Sequence, residues 1–407
     1  MTTVMGMWRD IGLLVLGAVI GVGADRFWDL AARTSGNRRT ANKRGQRLRT
    51  ETNIRDQILS FYDDRGFGDH LYVPKNIPLG RVPMLAFPGA PGLAISSAEF
   101  GLTMTSTLRV PMHVDRAAIA RREAAGGRLW DGDLLYLCHA KMPPVAMDGS
   151  WQGMPELETG VTNYFSFVTA ADEWRKEATN LASDQLLRAH YRDLDTLLTK
   201  PPSPLALSAA AVCVFHTAQG SLFPLAMRSD EVVNAMGALS LVPTFGLEPN
   251  TKGIAFSRFD LLKYNFLKEF VEEMYGMSEA EHNADSGRLH PDSIFETAEG
   301  TRLCAEFDDG RATLLVTGIS GELTDGSLTL SLLAEFSSEE FFEEVLQAAR
   351  PSWEWQPIPG SHQHVQFYPL SALKGEAGAI QLSSLAHSAA FSLDRALEVL
   401  EQRVGRE

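Results

Sequence analysis

The stretch Lys263-Tyr-Asn-Phe-Leu-Lys-Glu-Phe-Val-Glu-Glu-Met-Tyr-Gly276 places Glu269, Glu272 and Glu273 at i, i+3 and i+4. Residues at that spacing share one face of a helix within a single turn. Three carboxylates so close raise one another's proton affinity unless a positive charge balances them. A hard divalent cation with oxygen ligands, Mg²⁺ in the first place, is the partner this chemistry selects, and on a diphosphate it would clamp the phosphoryl oxygens for attack by water. Lys268 offers a second source of positive charge, because it stands four residues before Glu272 and can pair with it along the helix. On that reading the cluster is a solvated face without chemistry.

The residues around the cluster resemble the Nudix box, in which a glycine, five residues, a glutamate and seven residues precede Arg-Glu-aliphatic-x-Glu-Glu-x-Gly-aliphatic. Asp260 stands where the first glutamate belongs, and Lys268-Glu269-Phe270-Val271-Glu272-Glu273 follows at the right interval with Lys for Arg. Gly253 lies one position before the expected first glycine, and Gly276 one position after the expected last. The resemblance implies a Nudix-like α/β/α sandwich and Mg²⁺ as cofactor. It also implies Glu269, Glu272 and Glu273 as metal ligands, those three with Lys268 as the catalytic set, and Asp260 and Lys268 as nucleotide-binding residues. The displaced glycines bear on hydrolysis more than on binding, since they shape the turns that set a metal over the diphosphate. Val242-Pro-Thr-Phe-Gly-Leu-Glu-Pro-Asn250, Phe266–Gly276 and Leu385-Ala386-His387 are further similar to Nudix-like regulatory regions that follow helix-turn-helix domains in bacterial transcription regulators. No helix-turn-helix pattern precedes them here.

The elements that must carry this helix read as follows. Strands are expected at Pro83–Phe87, Leu134–Cys138, Tyr164–Val168, Leu205–His216, Ser221–Met227, Ala238–Val242, Thr301–Phe307, Ala312–Gly318 and Ser327–Phe336. Helices are expected at Thr50–Asp63, Asp115–Ala125, within Ala171–Leu198, at Phe259–Tyr275, at Glu339–Ala348 and from Ser383 to Val404. The breaker Lys200-Pro-Pro-Ser-Pro204 suggests a boundary between an α+β region, 51–200, and the Nudix-like domain, 201–407. Trp353-Glu-Trp355 alternates as a strand does and reads as core or pocket wall. Glu296 and Glu299 are candidates for a carboxylate recruited from outside the box.

Ahead of the body, Ile11–Ala24 is uncharged and apolar, with Arg9 and Trp8 before it and Arg26, Phe27 and Trp28 after it. Its helix would rise only about 21 Å, but Val4–Trp28 reaches across a bilayer if the arginines snorkel and the aromatics sit at the interfaces. Residues 1–30 are therefore expected to be a single transmembrane anchor and 31–50 a basic linker. The Lys/Arg cluster behind the span puts the body in the cytoplasm by the positive-inside rule. Gly17-x-x-x-Gly21 is the spacing that lets such helices pair into a homo-oligomer.

Residues 1–49 hold nine Lys/Arg against three Asp, a net +6, which leaves 28 basic against 48 acidic residues, a net −20, in the body. A body that acidic does not bind duplex DNA by phosphate neutralisation. Cys138, Cys213 and Cys304 are far apart and form no C-x-x-C, so neither a disulfide framework nor a zinc site is encoded. Three functions remain open. The first is a membrane-anchored sensor-effector that binds a nucleotide signal, which resembles in plan the transmembrane-Nudix effectors of bacterial cyclic-oligonucleotide antiphage signalling. The second is a tethered Mg²⁺-dependent Nudix hydrolase acting on nucleoside diphosphate-linked substrates, and the third a non-catalytic scaffold.

Overall fold

The computed structural model describes residues 51–404 except 87–93, 110–111, 125, 130, 142, 145–155, 180–190, 200–204, 233, 250–258, 278–290, 351, 359–360, 362 and 375–379. The expected anchor and its Gly17/Gly21 face lie outside these residues, as does Gly253. Among the described helices, none is long and apolar enough to cross a membrane. Contacts divide the chain into Met1–Asn53 and Ile54–Glu407, and the second unit carries all that follows.

Its centre is strand β6 (Leu207–Thr217), whose run Leu-Ser-Ala-Ala-Ala-Val-Cys-Val-Phe is apolar on both faces. A strand of that composition must be covered on both sides. Leu207, Ala209, Ala211, Cys213 and Phe215 face one core, while Ala210, Val212 and Val214 face another. β6 pairs antiparallel with β7 (Gly220–Arg228) and parallel with β11 (Leu328–Phe336), in register from Leu328↔Leu207 to Phe336↔Phe215. β11 pairs antiparallel with β10 (Ala312–Glu322). β1 (Met84–Ala86) and β2 (Ile95–Ser96) lie along the other side of β10. β8 (Leu239–Leu241), β12 (Trp355–Gln356) and β13 (Val365–Pro369) join β7, and β9 (Thr244–Gly246) joins β6.

The first core contains α5 (Leu261–Tyr275) together with residues of α6 (Ala298–Asp308) and α7 (Glu339–Ala348); the second contains α8 (His387–Val404). Helices thus cover both faces of the sheet, the α/β/α sandwich expected from the order of elements.

A smaller sheet is formed by β3 (Gly101–Arg109), β5 (Glu156–Asn163) and β4 (Asp133–Lys141); α2 (Arg116–Ala124) and α3 (Tyr164–Ala178) pack on each other through Ile119 and Val168, while α1 (residues 51–64) and α4 (Leu194–Thr199) add Ile58, Tyr62, Leu194 and Leu197 to the core that holds α5. The boundary expected at 200/201 does not interrupt the core. Leu135, Leu157 and Trp174 share one hydrophobic cluster with α5, and the N–H groups of Leu135 and Leu137 donate to the carbonyls of Leu247 and Leu205 at 2.7 and 2.9 Å. The chain before β1 is also clasped to α8. Tyr72 Oη donates to Asp394, whose other oxygen accepts from the backbone N–H of Lys75 and Asn76 at 2.8 and 2.5 Å.

Two expected strands are helices. Tyr164–Val168 opens α3, because Asn163 accepts from the N–H of Ser166 and caps it. Thr301–Phe307 lies inside α6, which Thr297 caps through the N–H of Gly300 and whose apolar Leu303, Cys304 and Phe307 recur at helical spacing.

Candidate functional site

Helix α5 begins at Asp260, whose carboxylate accepts from the Lys263 N–H at 2.9 Å and from Ser97 Oγ at 3.0 Å. It ends at Gly276, in the left-handed conformation at φ 62°. The displaced glycine therefore still supplies the helix-ending turn. Asp260 is a helix cap, with one oxygen on the Lys263 N–H and the other on Ser97 Oγ.

Every residue from Leu261 to Tyr275 that the helix carries on its acidic face is withdrawn from water, with Glu269, Glu272 and Glu273 only 9%, 5% and 2% exposed. A solvated acidic face does not fit that burial. Lys268, 3% exposed, places Nζ 3.1 Å from Glu248 Oε2, 3.1 Å from Glu269 Oε1 and 3.5 Å from Glu272 Oε2. Burial works against its charge, but the three carboxylates overcome that and hold its pKa well above the ordinary lysine value.

Glu248 is brought to Lys268 by a clamp. The fully buried Asn265 accepts from the Glu248 N–H at 2.9 Å and donates from Nδ2 to the Glu248 and Leu261 carbonyls at 3.1 and 2.9 Å. The segment behind β9 is thus fixed to α5 through its backbone, and its acidic side chain lies against the lysine.

Glu273 has a different setting. Both its oxygens lie 3.3–3.4 Å from the Thr244 N–H. Burial, then the charges of Glu354 and Glu269, push its pKa well up, against the pull of Arg228 and that N–H. Glu269 is pushed up in the same way, first by burial and, against Lys268, by Glu272, Glu248 and Glu354.

Glu354 arrives from a turn closed by the Trp355 N–H on the Ser352 carbonyl at 3.2 Å. Its Oε2 lies 2.7 Å from Arg228 Nη1, and its carbonyl accepts from the Ser229 N–H at 2.7 Å. The site therefore gathers Glu248, Glu269, Glu272, Glu273 and Glu354 around two cations, Lys268 and Arg228. Among the described residues, no three His, Cys, Asp or Glu side chains are arranged to hold a metal ion by themselves.

Of the residues singled out in the sequence, Glu269, Glu272, Glu273 and Lys268 come together, and Asp260 stands apart at the cap. Glu299 acts on Tyr275, at the far end of α5, whereas Glu354 is the carboxylate that bears on Glu269 and Glu273. Sequence reasoning also missed Arg228, and it quoted Glu248 and Asn265 only within longer stretches, with no role in the site. The one available signal was a charge between two aromatics in Trp353-Glu354-Trp355.

No protein-family model matches the chain, and no curated protein matches it. Among solved structures, it is similar to the NUDIX domain of Shewanella oneidensis NrtR complexed with ADP ribose, at 15% identity and a TM-score of 0.26, over 51% of this chain and 97% of that one. It is also similar to RenU, a Nudix hydrolase from M. smegmatis, at 10% identity and a TM-score of 0.21, over 49% of this chain and 91% of that one.

The donor chemistry fits Mg²⁺. The carboxylates are hard oxygen donors in excess of the cations beside them, and two have their ionised forms disfavoured by burial. Mg²⁺ is commonly held by one or two carboxylates, with ligand phosphate and water completing its shell. A protein cage of three side chains is not required for that.

Proposed function

We propose that the α5 site binds a nucleotide-derived diphosphate ligand together with Mg²⁺, and that the body is the sensing part of a membrane-tethered sensor-effector. The observation that carries the first half is the buried excess of carboxylate around Lys268 and Arg228, on a helix whose sequence resembles the Nudix box. Glu269 and Glu273 would hold the ion, which when bound offsets their charge and that of a diphosphate and polarises water.

The chain's own groups prepare the rest. Lys268 keeps Glu269 and Glu272 in place, and Asn265 keeps Glu248 on Lys268. Arg228 and the Thr244 N–H orient Glu273. Glu354 stands beside Glu273 with its carboxylate held by Arg228.

Hydrolysis is the alternative reading, favoured by Glu269, Glu272 and Glu273 standing together on one helix, the carboxylate set that would hold Mg²⁺ over a diphosphate. The tether rests on Ile11–Ala24 with its flanking Trp8, Phe27 and Trp28 and on the basic run behind them, which would leave the body in the cytoplasm. Assembly through Gly17 and Gly21, and a role in antiphage defence, extend the same reading.

Calorimetric titration of the protein with Mg²⁺ and with cyclic and linear nucleotides, ADP-ribose among them, decides between the two. Product chromatography on the same samples and a Glu272→Gln/Glu273→Gln control complete it. Tight Mg²⁺-dependent binding with the nucleotide recovered intact supports sensing. Release of nucleoside monophosphate, lost in the control, makes the protein a hydrolase. Absence of any nucleotide binding removes both. For the tether, full-length protein that leaves the membrane fraction in alkaline carbonate would contradict an integral span.

A further inference from the structure

Trp355 is 3% exposed, and its indole Nε1–H has no hydrogen-bond partner among the described residues. A buried donor left unpaired is costly, so each such group calls for an explanation. Its surroundings offer one. Trp355 stands directly opposite Arg228 in the β12–β7 ladder, and residues so paired project to the same face of a sheet. That face carries α5, because Arg228 acts on Glu273 and Trp355 belongs to the core that contains α5. The guanidinium of Arg228 lies over the indole, 5.2 Å from its centre, and pairs with Glu354, the residue before the tryptophan.

The ring that carries the unpaired N–H thus lies under Arg228, and Glu354, the partner of Arg228, is the residue before it, so the N–H belongs to the margin of the carboxylate cluster. Charge decides what could meet it. A bare anion such as a phosphate oxygen would be repelled by Glu273, Glu354 and Glu269, and Arg228 is already engaged by Glu354. A hydroxyl suits both neighbours, since it accepts from an N–H and donates to a carboxylate in the same position.

We infer that Trp355 and Glu354 form a sugar-hydroxyl subsite of the α5 site, with the indole N–H donating to a ribose hydroxyl that in turn donates to the Glu354 carboxylate. The inference rests on the site holding a nucleotide-derived ligand, and it assigns the ligand a sugar next to its diphosphate. Arg228 is the positioning residue, since it fixes both the ring and the carboxylate.

The test is a cycle between protein and ligand. Full-length protein and Trp355→Phe, which keeps a six-membered aromatic ring and loses the five-membered ring with its N–H, are titrated with Mg²⁺ and four probes: ADP, 2′,3′-dideoxy-ADP, ADP-ribose and ADP-ribose lacking its terminal hydroxyls. Thermal melts confirm that the variant is folded. Unmodified protein should bind at least one hydroxylated probe roughly tenfold more tightly than its deoxygenated counterpart, and Trp355→Phe should reduce that difference to about two- to threefold, because the hydroxyl then keeps only its bond to Glu354. If Trp355→Phe keeps the full discrimination, or weakens both members of each pair alike, the subsite assignment is wrong while nucleotide binding stands. If the unmodified protein binds none of the four, the reading of the α5 site fails and the subsite with it.

Discussion

Lys268 concentrates the electrostatics of the α5 site in one atom, and its removal should be severe. Lys268→Met leaves Glu248, Glu269 and Glu272 without their shared cation in a buried setting, where breaking a pair costs about 3–5 kcal/mol. The loss should be larger at pH 8 than at pH 5, because stranded carboxylates can take up protons at the lower pH; denaturant unfolding at both values checks this. A second buried acid gives a cleaner pH signature. Asp325, in the turn between β10 and β11, accepts from Ser327 N and Oγ at 2.9 and 2.7 Å and from Asn234 Nδ2 at 2.7 Å. Burial, followed by the charge of Glu322, nevertheless raises its pKa from 3.8 to about 6. The folded state then keeps its proton while the unfolded chain has released it. Stability attributable to this group is complete below pH 3.8 and falls as pH rises toward 6, by roughly 2–3 kcal/mol. Asp325→Asn should remove that slope. The unpaired Asn234 Oδ1 is available to accept from the new amide once the Asn234 side chain turns over, so melting temperatures of the variant should gain on those of the unmodified protein between pH 4 and pH 7.

At the scale of elements, the clamp between α5 and the segment behind β9 has the most to lose. Asn265→Ala would strand the Glu248 N–H and carbonyl and release Glu248 from Lys268, at a cost of roughly 2–4 kcal/mol. Hydrogen exchange at residues 244–249 should rise with it, whereas exchange in α8 should not. The helix behind this clamp was readable in advance, its expected span Phe259–Tyr275 differing from Leu261–Tyr275 only at the start. β6, β7, β10, β11 and α7 were readable too, because their apolar runs are long and bounded by turn residues. Less legible were segments where aromatics outweighed a cap. Tyr-Phe-Ser-Phe-Val has strand composition, and only the hydrogen bond from Ser166 N–H to Asn163 reveals a helix start. The partners of the acidic helix were hidden for another reason. Glu248 and Glu354 come from two separate connections and Arg228 from the end of β7, and no periodicity along the chain says that they converge.

The unit Ile54–Glu407 is a sandwich joined by a second sheet and carrying β1 and β2 at its β10 edge. Since Ile54–Glu407 forms one unit, protein begun at residue 50 should unfold in a single transition, with the 51–200 and 201–407 regions melting together; two separated calorimetric peaks would contradict the shared core. The clasp of Tyr72, Lys75 and Asn76 on Asp394 gives this plan a mechanical side. Ile54, Ile58, Phe61 and Tyr62 stand ahead of the clasp and belong to the core that contains α5. A pull from the N-terminal side would therefore strain that shared core first, and the clasp and the three-residue β1–β10 pairing would bear load only after those side chains had left their places.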